Sequence, residues 1–532
     1  MSKRRKKTFL GACFLLFLPI FLQLKAQNTT STPQKGEKIT CTADRLTYDA
    51  FVNADLQILT GNVVFEHEGA VCYADTAFFN EVQNTIDAYG KNLIIYINDS
   101  LTLKGQHVHY DGNTKIAHID GEVILTDTSA VLYTQKLMYD RNNNIAYYNT
   151  GGRIEDADNV LISKESWFYT QQNQIYFKDS VVLTNPQYTV YSDTLRYNTQ
   201  TEVAYFLGPT RIISSDSGTI YCEYGWYDTH SEVCEFQQNA EIINQSQHIK
   251  GETIWYDKTN DMGIAKQNVE IYDTKEEVLF WGNYAEYRSL QKYAYITDSA
   301  VAVMINKSDS LFLHADMLHV TFDSNKEVET MNAYYSVKFY RKDLQGSCDS
   351  LIYLAKDSII TMFDAPVLWS QENQMLADTV RMYIIDGQIK EIHLIENASI
   401  FADVLAQKKF NQLKGETIIA YFADSVINLV FVDGSAECLY YVQEENKDLI
   451  GVQKGTSSQM RVFFQDGEIE KIRFYTHVKG NIYPEKDLKD PFLKNFIWLD
   501  EYRPKEKEDI FTTIIYKIEK QTQIIEIEES EE

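Results

Sequence analysis

Apolar and polar residues alternate along this chain from about Cys41 to about Val478. Pairs such as Leu46/Tyr48, Val108/Tyr110, Leu195/Tyr197 and Ile254/Tyr256 sit two residues apart. That spacing places both members of a pair on one face of a β-strand. A helical period is hard to find anywhere in this region. With 36 Tyr and 27 Phe against 8 Pro, the composition also favours strands.

The alternation is itself periodic. A signature of the form Ala/Ser-Asp-x-Leu-x-Tyr-Asp, followed by an alternating stretch and Gly-x-Val-x-Ile, recurs about every 30 residues. Its aromatic anchors are Tyr48, Phe79, Tyr110, Tyr139, Tyr169, Tyr197, Tyr227, Tyr256, Tyr287, Phe322, Tyr353, Tyr383, Tyr421 and Phe463. Asp or Asn follows many anchors, as at Asn80, Asp111, Asp140, Asn198, Asp228, Asp257 and Asp323, where a turn that bonds its own backbone is expected. Gly61, Gly90, Gly121, Gly151 and Gly208 follow about a dozen residues later and predict a tight bend or a close backbone approach. Each repeat is too small to bury its apolar face alone, so the units must stack. The reading is an all-β, elongated repeat protein of about fourteen repeats, each supplying two or three short strands.

The ends of the chain differ from this body. Residues 1–26 read as a cleavable secretory signal, with Lys3, Arg4, Arg5, Lys6 and Lys7 before an apolar stretch over residues 9–22. Residues 27–40 read as a flexible lead-in. Residues 41–340 carry the best repeats, two tandem domains by their length, and residues 341–478 carry more divergent copies. Residues 479–532 hold Pro484, Pro491 and Pro504 with Phe492, Phe496, Trp498 and Tyr502, then an acidic tail, and read as a capping or docking segment.

Net charge is −26, and removal of the signal with its six basic residues would make it −32. Such a balance argues against nucleic acid, whose phosphates require a basic footprint. Six cysteines follow the signal without a CxxC pair. Cys222 and Cys234 flank the turn after Tyr227 and are the candidate disulfide in an oxidising compartment; buried free thiols are the alternative. His107 and His109 form an HxH without an obvious further ligand, so no metal is assigned. No GxSxG, HExxH or Walker pattern occurs, and no catalytic residue or cofactor is assigned.

The repeat resembles the OstA-like proteins, which include the periplasmic lipopolysaccharide-transport protein LptA and the periplasmic N-terminal domain of LptD. The stretches that carry the resemblance include Ala43-Asp44-Arg45-Leu46-Thr47-Tyr48-Asp49, Gly61-Asn62-Val63-Val64-Phe65, His107-Val108-His109-Tyr110-Asp111 and Gly121-Glu122-Val123-Ile124-Leu125. The resemblance implies an LptA-like β-jellyroll, or β-taco, whose interior shields lipid A acyl chains. It also implies a non-enzymatic periplasmic protein that bridges lipopolysaccharide toward the outer membrane. Partners would be other Lpt-type jellyrolls joined by strand-edge pairing, or copies of the chain itself, head to tail. The chain is far longer than a single bridge domain and has no room for a large C-terminal barrel. Leu46, Tyr48, Val108, Tyr110, Leu195, Tyr197, Ile254 and Tyr256 are the candidate lipid-groove residues. A solid core without lipid cargo, as in a structural or adhesive envelope scaffold, demands the same alternation, so the pattern leaves both open.

Overall fold

The computed structural model describes residues 38–511, apart from residues 49–54, 98–100, 128, 307–308, 386–387, 405–407, 424–425, 444–448 and 466–467. The signal sequence, most of the lead-in and the acidic tail lie outside the described residues. Within them the regular structure is β-strand, joined antiparallel, with only short 3-10 turns besides. The chain divides into two compact units, Met1–Gly263 and Ile264–Glu532. Each is a jellyroll of bent antiparallel strands, the all-β class that the alternation predicts.

The first unit is a meander in which each strand pairs with the next, from Leu56–His67 through Ala70–Asn80 and on to Gln247–Asp257. Its strands run ten to twelve residues, two to a repeat, rather than two or three short ones. Each is bent near its middle. The bend is plainest where the chain breaks there. Strand Val131–Asp140 pairs through residues 138–140 with Ile145–Tyr148 and through residues 131–134 with Gly152–Glu155. Every layer therefore contributes half a strand to each of two walls, which share a spine of register shifts such as that between Thr60 and Val63.

The signature residues build this spine. Gly61 and Gly121 take left-handed backbone there, at φ 77° and 86°, each followed by a second left-handed residue, Asn62 or Glu122. A Cβ on Gly61 would lie 2.7 Å from Oδ2 of Asp44, so the site admits only glycine without rearrangement. Asp44, the signature aspartate, accepts from Asn62 Nδ2 at 2.8 Å, and Asp75 accepts from the Lys91 amide at 3.0 Å. Gly90, Gly151 and Gly208 also fall at the bend.

At the rim of the anchor-bearing wall, the aspartates and asparagines after the anchors close the hairpins. Asp111 Oδ1 accepts from the amides of Asn113 and Thr114, and Asn198 Oδ1 from those of Gln200 and Thr201. These turns stack on one another through main-chain bonds one repeat apart, as in Arg141 N to Lys115 O and Thr229 N to Glu202 O.

In the second unit the strands lengthen, reaching eighteen residues in Val426–Gln443. One of its walls is buried on both faces, as the unbroken burial of Val367–Ser370 shows. Residues 484–511 lie across the outer face of that wall. Leu493 packs with Val404, Leu439, Tyr441 and Val452; Leu499 packs with Val367 and Trp369; Ile510 packs with Val301 and Val303. Buried glutamines read the segment's main chain. Gln412 donates to Pro491 O and accepts from Leu493 N, both at 2.8 Å. Gln374 does the same with Ile497 O at 2.9 Å and Leu499 N at 2.7 Å. The proline-rich segment thus docks as a strap.

Candidate functional site: the interior of the first unit

Two long rows of side chains face each other between the walls of the first unit. The first is the anchor row: Phe79, Ile86, Tyr110, Ala117, Tyr139, Ala146, Phe168, Ile175, Tyr197, Ala204, Tyr227, Cys234 and Tyr256 register one against the next. Aromatic rings alternate with smaller side chains, so neighbouring rings do not compete for one space. The facing wall supplies an aliphatic row that runs from Phe65 through Leu103, Leu132, Leu161 and Val190 to Ile249. Near the spine, where the walls converge, the facing wall mixes small residues, among them Gly105, Gly152, Ser163, Ser192, Thr210 and Cys222, with Leu93, Val123 and Val181. A Cβ on Gly152 would lie 2.3 Å from the Tyr148 ring. Tyr148 Oη meets Ser163 Oγ at 2.7 Å, and Ser192 Oγ meets Thr210 Oγ1 at 2.8 Å, so polar atoms here have partners.

The predicted groove residues all lie on the anchor-bearing wall. Leu195, Tyr197, Ile254 and Tyr256 are buried, with Tyr197 0% exposed, and Val108 is buried as well. Tyr110 is half-buried. Leu46 and Tyr48 occupy the same two rows, in register with Leu59 and Gln57, yet they are 57% and 55% exposed. They belong to the first described layer, Thr40–Thr42 with Arg45–Tyr48, which has a described neighbour on one side only. The candidate set omits the aliphatic row of the opposite wall, which was legible in the Gly-x-Val-x-Ile half of the signature.

Several anchors are displaced. In the fifth copy Phe168, not Tyr169, enters the row. In the second unit Tyr287 and Tyr353 keep their place, whereas Val320, Met382, Ala420 and Val462 stand inward instead of Phe322, Tyr383, Tyr421 and Phe463. In three of these four the inward position lies five residues after the Ala/Ser of the signature, as in Ala315 to Val320, and in the fourth Gly415 takes that place before Ala420. Counting from that residue finds it; following the nearest aromatic does not.

The candidate pair Cys222 and Cys234 is not bridged in the structure. Both are free, buried thiols. Antiparallel register sets Cys234 against Tyr227 and Cys222 against Thr210, so the two are not cross-strand partners. Desolvation pushes the Cys222 thiol up to about 12 and raises Cys234 further. His107 and His109 lie on the outer face and share Asp87, each at 3.0 Å.

The mouth of the interior, where the rims of the two walls face each other, is bridged by polar contacts in the first layers. His67, buried on one wall, bonds Tyr110 Oη of the other through Nδ1 at 2.7 Å. Next to it, the turn at Glu68 and Gly69 reaches the opposite rim. Glu68 Oε1 lies 2.6 Å from Lys115 Nζ and Glu68 Oε2 3.4 Å from Arg141 Nε, while Arg141 donates to the carbonyls of His67 and Glu68 at 3.2 and 2.7 Å. The hydrogen bond from Lys115, foremost, and the Arg141 charge hold the Glu68 carboxyl below its ordinary range.

The first unit is thus a stack of bent antiparallel strands that enclose an apolar interior, with aromatic anchors on alternate layers. Residues 37–193 match the model of the OstA-like protein family. No curated protein sequence matches the chain. Among solved structures, the chain is similar to LptH from Pseudomonas aeruginosa, described as the LptA-homologous periplasmic component of the conserved lipopolysaccharide transport device. The identity is 16%, the match covers 20% of this chain and 79% of that one, and the TM-score is 0.19. Among the described residues, no helix is long and apolar enough to cross a membrane.

Proposed function

We propose that this chain is a non-enzymatic periplasmic carrier that binds lipopolysaccharide by its lipid A acyl chains and passes it toward the outer membrane. The observation that carries this reading is the continuity of the apolar rows. They run through successive layers of the first unit, from the span that matches the OstA-like model to Tyr256 and Ile249 beyond it, and the anchor-bearing wall ends exposed at Leu46 and Tyr48. An exposed edge layer with unpaired main-chain groups is a template for a strand of another jellyroll or of a second copy. Such pairing would extend the two rows and cover Leu46 and Tyr48.

The test is photo-crosslinking in cells, with a photoreactive side chain replacing Tyr110, Tyr197 or Tyr256 and the adduct probed for lipopolysaccharide. Adducts at these inward positions, absent at the outward neighbour Arg196, are expected. A folded, exported protein without adducts would overturn the reading. It would favour a structural scaffold, which the full burial of Leu195, Tyr197, Ile254 and Tyr256 supports.

A further inference from the structure

At the mouth of the first unit, the rim turn His67-Glu68-Gly69-Ala70 carries the carboxylate of the polar clasp, Glu68. Its partners, Lys115 and Arg141, are two cations brought together at the entrance of an apolar interior in a chain of net charge −26. Both are about three-tenths exposed, and the ring beside them, Tyr110, belongs to the anchor row.

We infer that Lys115 and Arg141 form a headgroup site for the phosphate of an acylated glycolipid, and that Glu68 is the tethered anion that occupies it when no lipid is bound. The inference rests on the lipid-carrier reading above. Its chemistry follows from the geometry. Glu68 is held against both cations by a hairpin that also carries its carbonyl to Arg141, so a competing anion must overcome an intramolecular partner. A monovalent carboxylate would exchange like for like and gain little. A phosphate brings up to two charges and three acceptor oxygens, which suit an arginine fork beside a lysine point charge. Displacing the Glu68 carboxylate removes one of the ties between the two rims, beside the half-buried anchors Tyr110 and Tyr139. Headgroup capture and acyl entry are then one event.

The sign of two substitutions decides the matter. Glu68→Gln and the pair Lys115→Gln/Arg141→Gln break the same ion pairs. If the clasp only holds the rims together, both open the mouth and both raise lipid loading. If the cations bind phosphate, Glu68→Gln raises lipopolysaccharide binding by the purified full chain several-fold, and the double variant lowers it by about tenfold, the effect of one lost charge-assisted contact. Dephosphorylated lipopolysaccharide should bind wild type and the double variant alike. Inorganic phosphate alone should bind wild type far more weakly than the lipid does; equal affinity would overturn the lipid as its source. Lys115→Gln alone, in an exposed turn, serves if the double variant loses its β spectrum. Changes of the same sign for both substitutions, or full binding of the dephosphorylated lipid to wild type with none of the difference lost, would sink the headgroup site while leaving the carrier reading intact. Failure of wild type to crosslink lipopolysaccharide at Tyr197 would remove both.

Discussion

Gln374→Leu tests how the strap is held on the second unit. Gln374 is 0% exposed, and its carboxamide makes two hydrogen bonds to the strap's main chain, at Ile497 O and Leu499 N. Leucine fills much the same volume but leaves that carbonyl and amide buried without these partners. Each unsatisfied group costs about 1–3 kcal/mol, so the pair amounts to about 2–6 kcal/mol against the docked state. The strap adds a single layer of contacts, the clusters around Leu493, Leu499 and Ile510 and the rings of Phe492, Phe496 and Trp498 around Phe410, whereas the strands beneath have a full ladder. The loss should therefore appear as local opening rather than global unfolding. At about 1.4 kcal/mol per factor of ten, opening becomes roughly 30-fold to ten-thousand-fold more frequent. Limited trypsin cleavage after Lys494, Lys505 or Lys507 reads it, because cleavage follows the open population when reclosing is fast. Urea unfolding of the strand body should move little. The comparison is Leu499→Ala, which removes apolar burial but keeps both hydrogen bonds. If Gln374→Leu is cleaved within roughly threefold of wild type while Leu499→Ala is cleaved much faster, apolar burial alone seats the strap and the hydrogen-bond reasoning is wrong.

Three further outcomes are expected. Phe206 is 0% exposed between Leu195 and Gly225, so Phe206→Ala should destabilise the first unit by about 3–5 kcal/mol, seen in calorimetry as a Tm lower by several degrees. Cys222 and Cys234, buried and with raised pKa, should resist maleimide near pH 8 in the native protein and react in urea; prompt labelling of the folded chain would refute the burial. Because the folded pKa of Glu68 is depressed, the clasp is fully present above the ordinary glutamate value of about 4.3 and is lost as pH falls through the depressed one. Hydrogen exchange of the amides around Lys115 should therefore accelerate on acidification in wild type, and Glu68→Gln should remove that dependence.

Much of this architecture was legible because two signals coincided. Alternation gave the strands, and the 30-residue period gave their pairing, since an anchor on every second strand is what a meander of two strands per repeat produces. The aspartate and glycine of the signature marked the spine, where Gly61 and Gly121 need left-handed backbone. What escaped has physical causes. The displaced anchors mislead because Tyr383 and Phe463 stand half-buried on an outer face, covered by His393 and Arg473, while Met382, Ala420 and Val462 are buried inside. The strap was seen only as an aromatic, proline-rich segment. Its landing site breaks the alternation instead: Val367-Leu368-Trp369-Ser370 is buried throughout, as a strand covered on both faces must be. The mouth clasp was beyond reach, because Glu68, Lys115 and Arg141 are brought together only by the fold of the two walls.

The filled interior and the carrier reading are compatible on one condition, which the spine supplies. Main-chain hydrogen bonds run from strand to strand within each wall, and the ladder shifts register at the bend, as between Lys178 and Val181 or Gln237 and Ala240. Parting the walls about that spine therefore breaks few ladder bonds. What it gives up is contact between the anchor row and the aliphatic row, and an acyl chain laid between them restores apolar contact on both sides. The exchange is roughly neutral in apolar area, at about 25 cal/mol per Å² on either count. The groups that resist parting are those that bridge the rims, His67 to Tyr110 and Glu68 to Lys115 and Arg141. Lipid loading should accordingly loosen amide protection at these rim turns and leave the strands of both walls protected. Loss of protection throughout the walls would mean that entry requires unfolding, and the interior would then be a core rather than a passage.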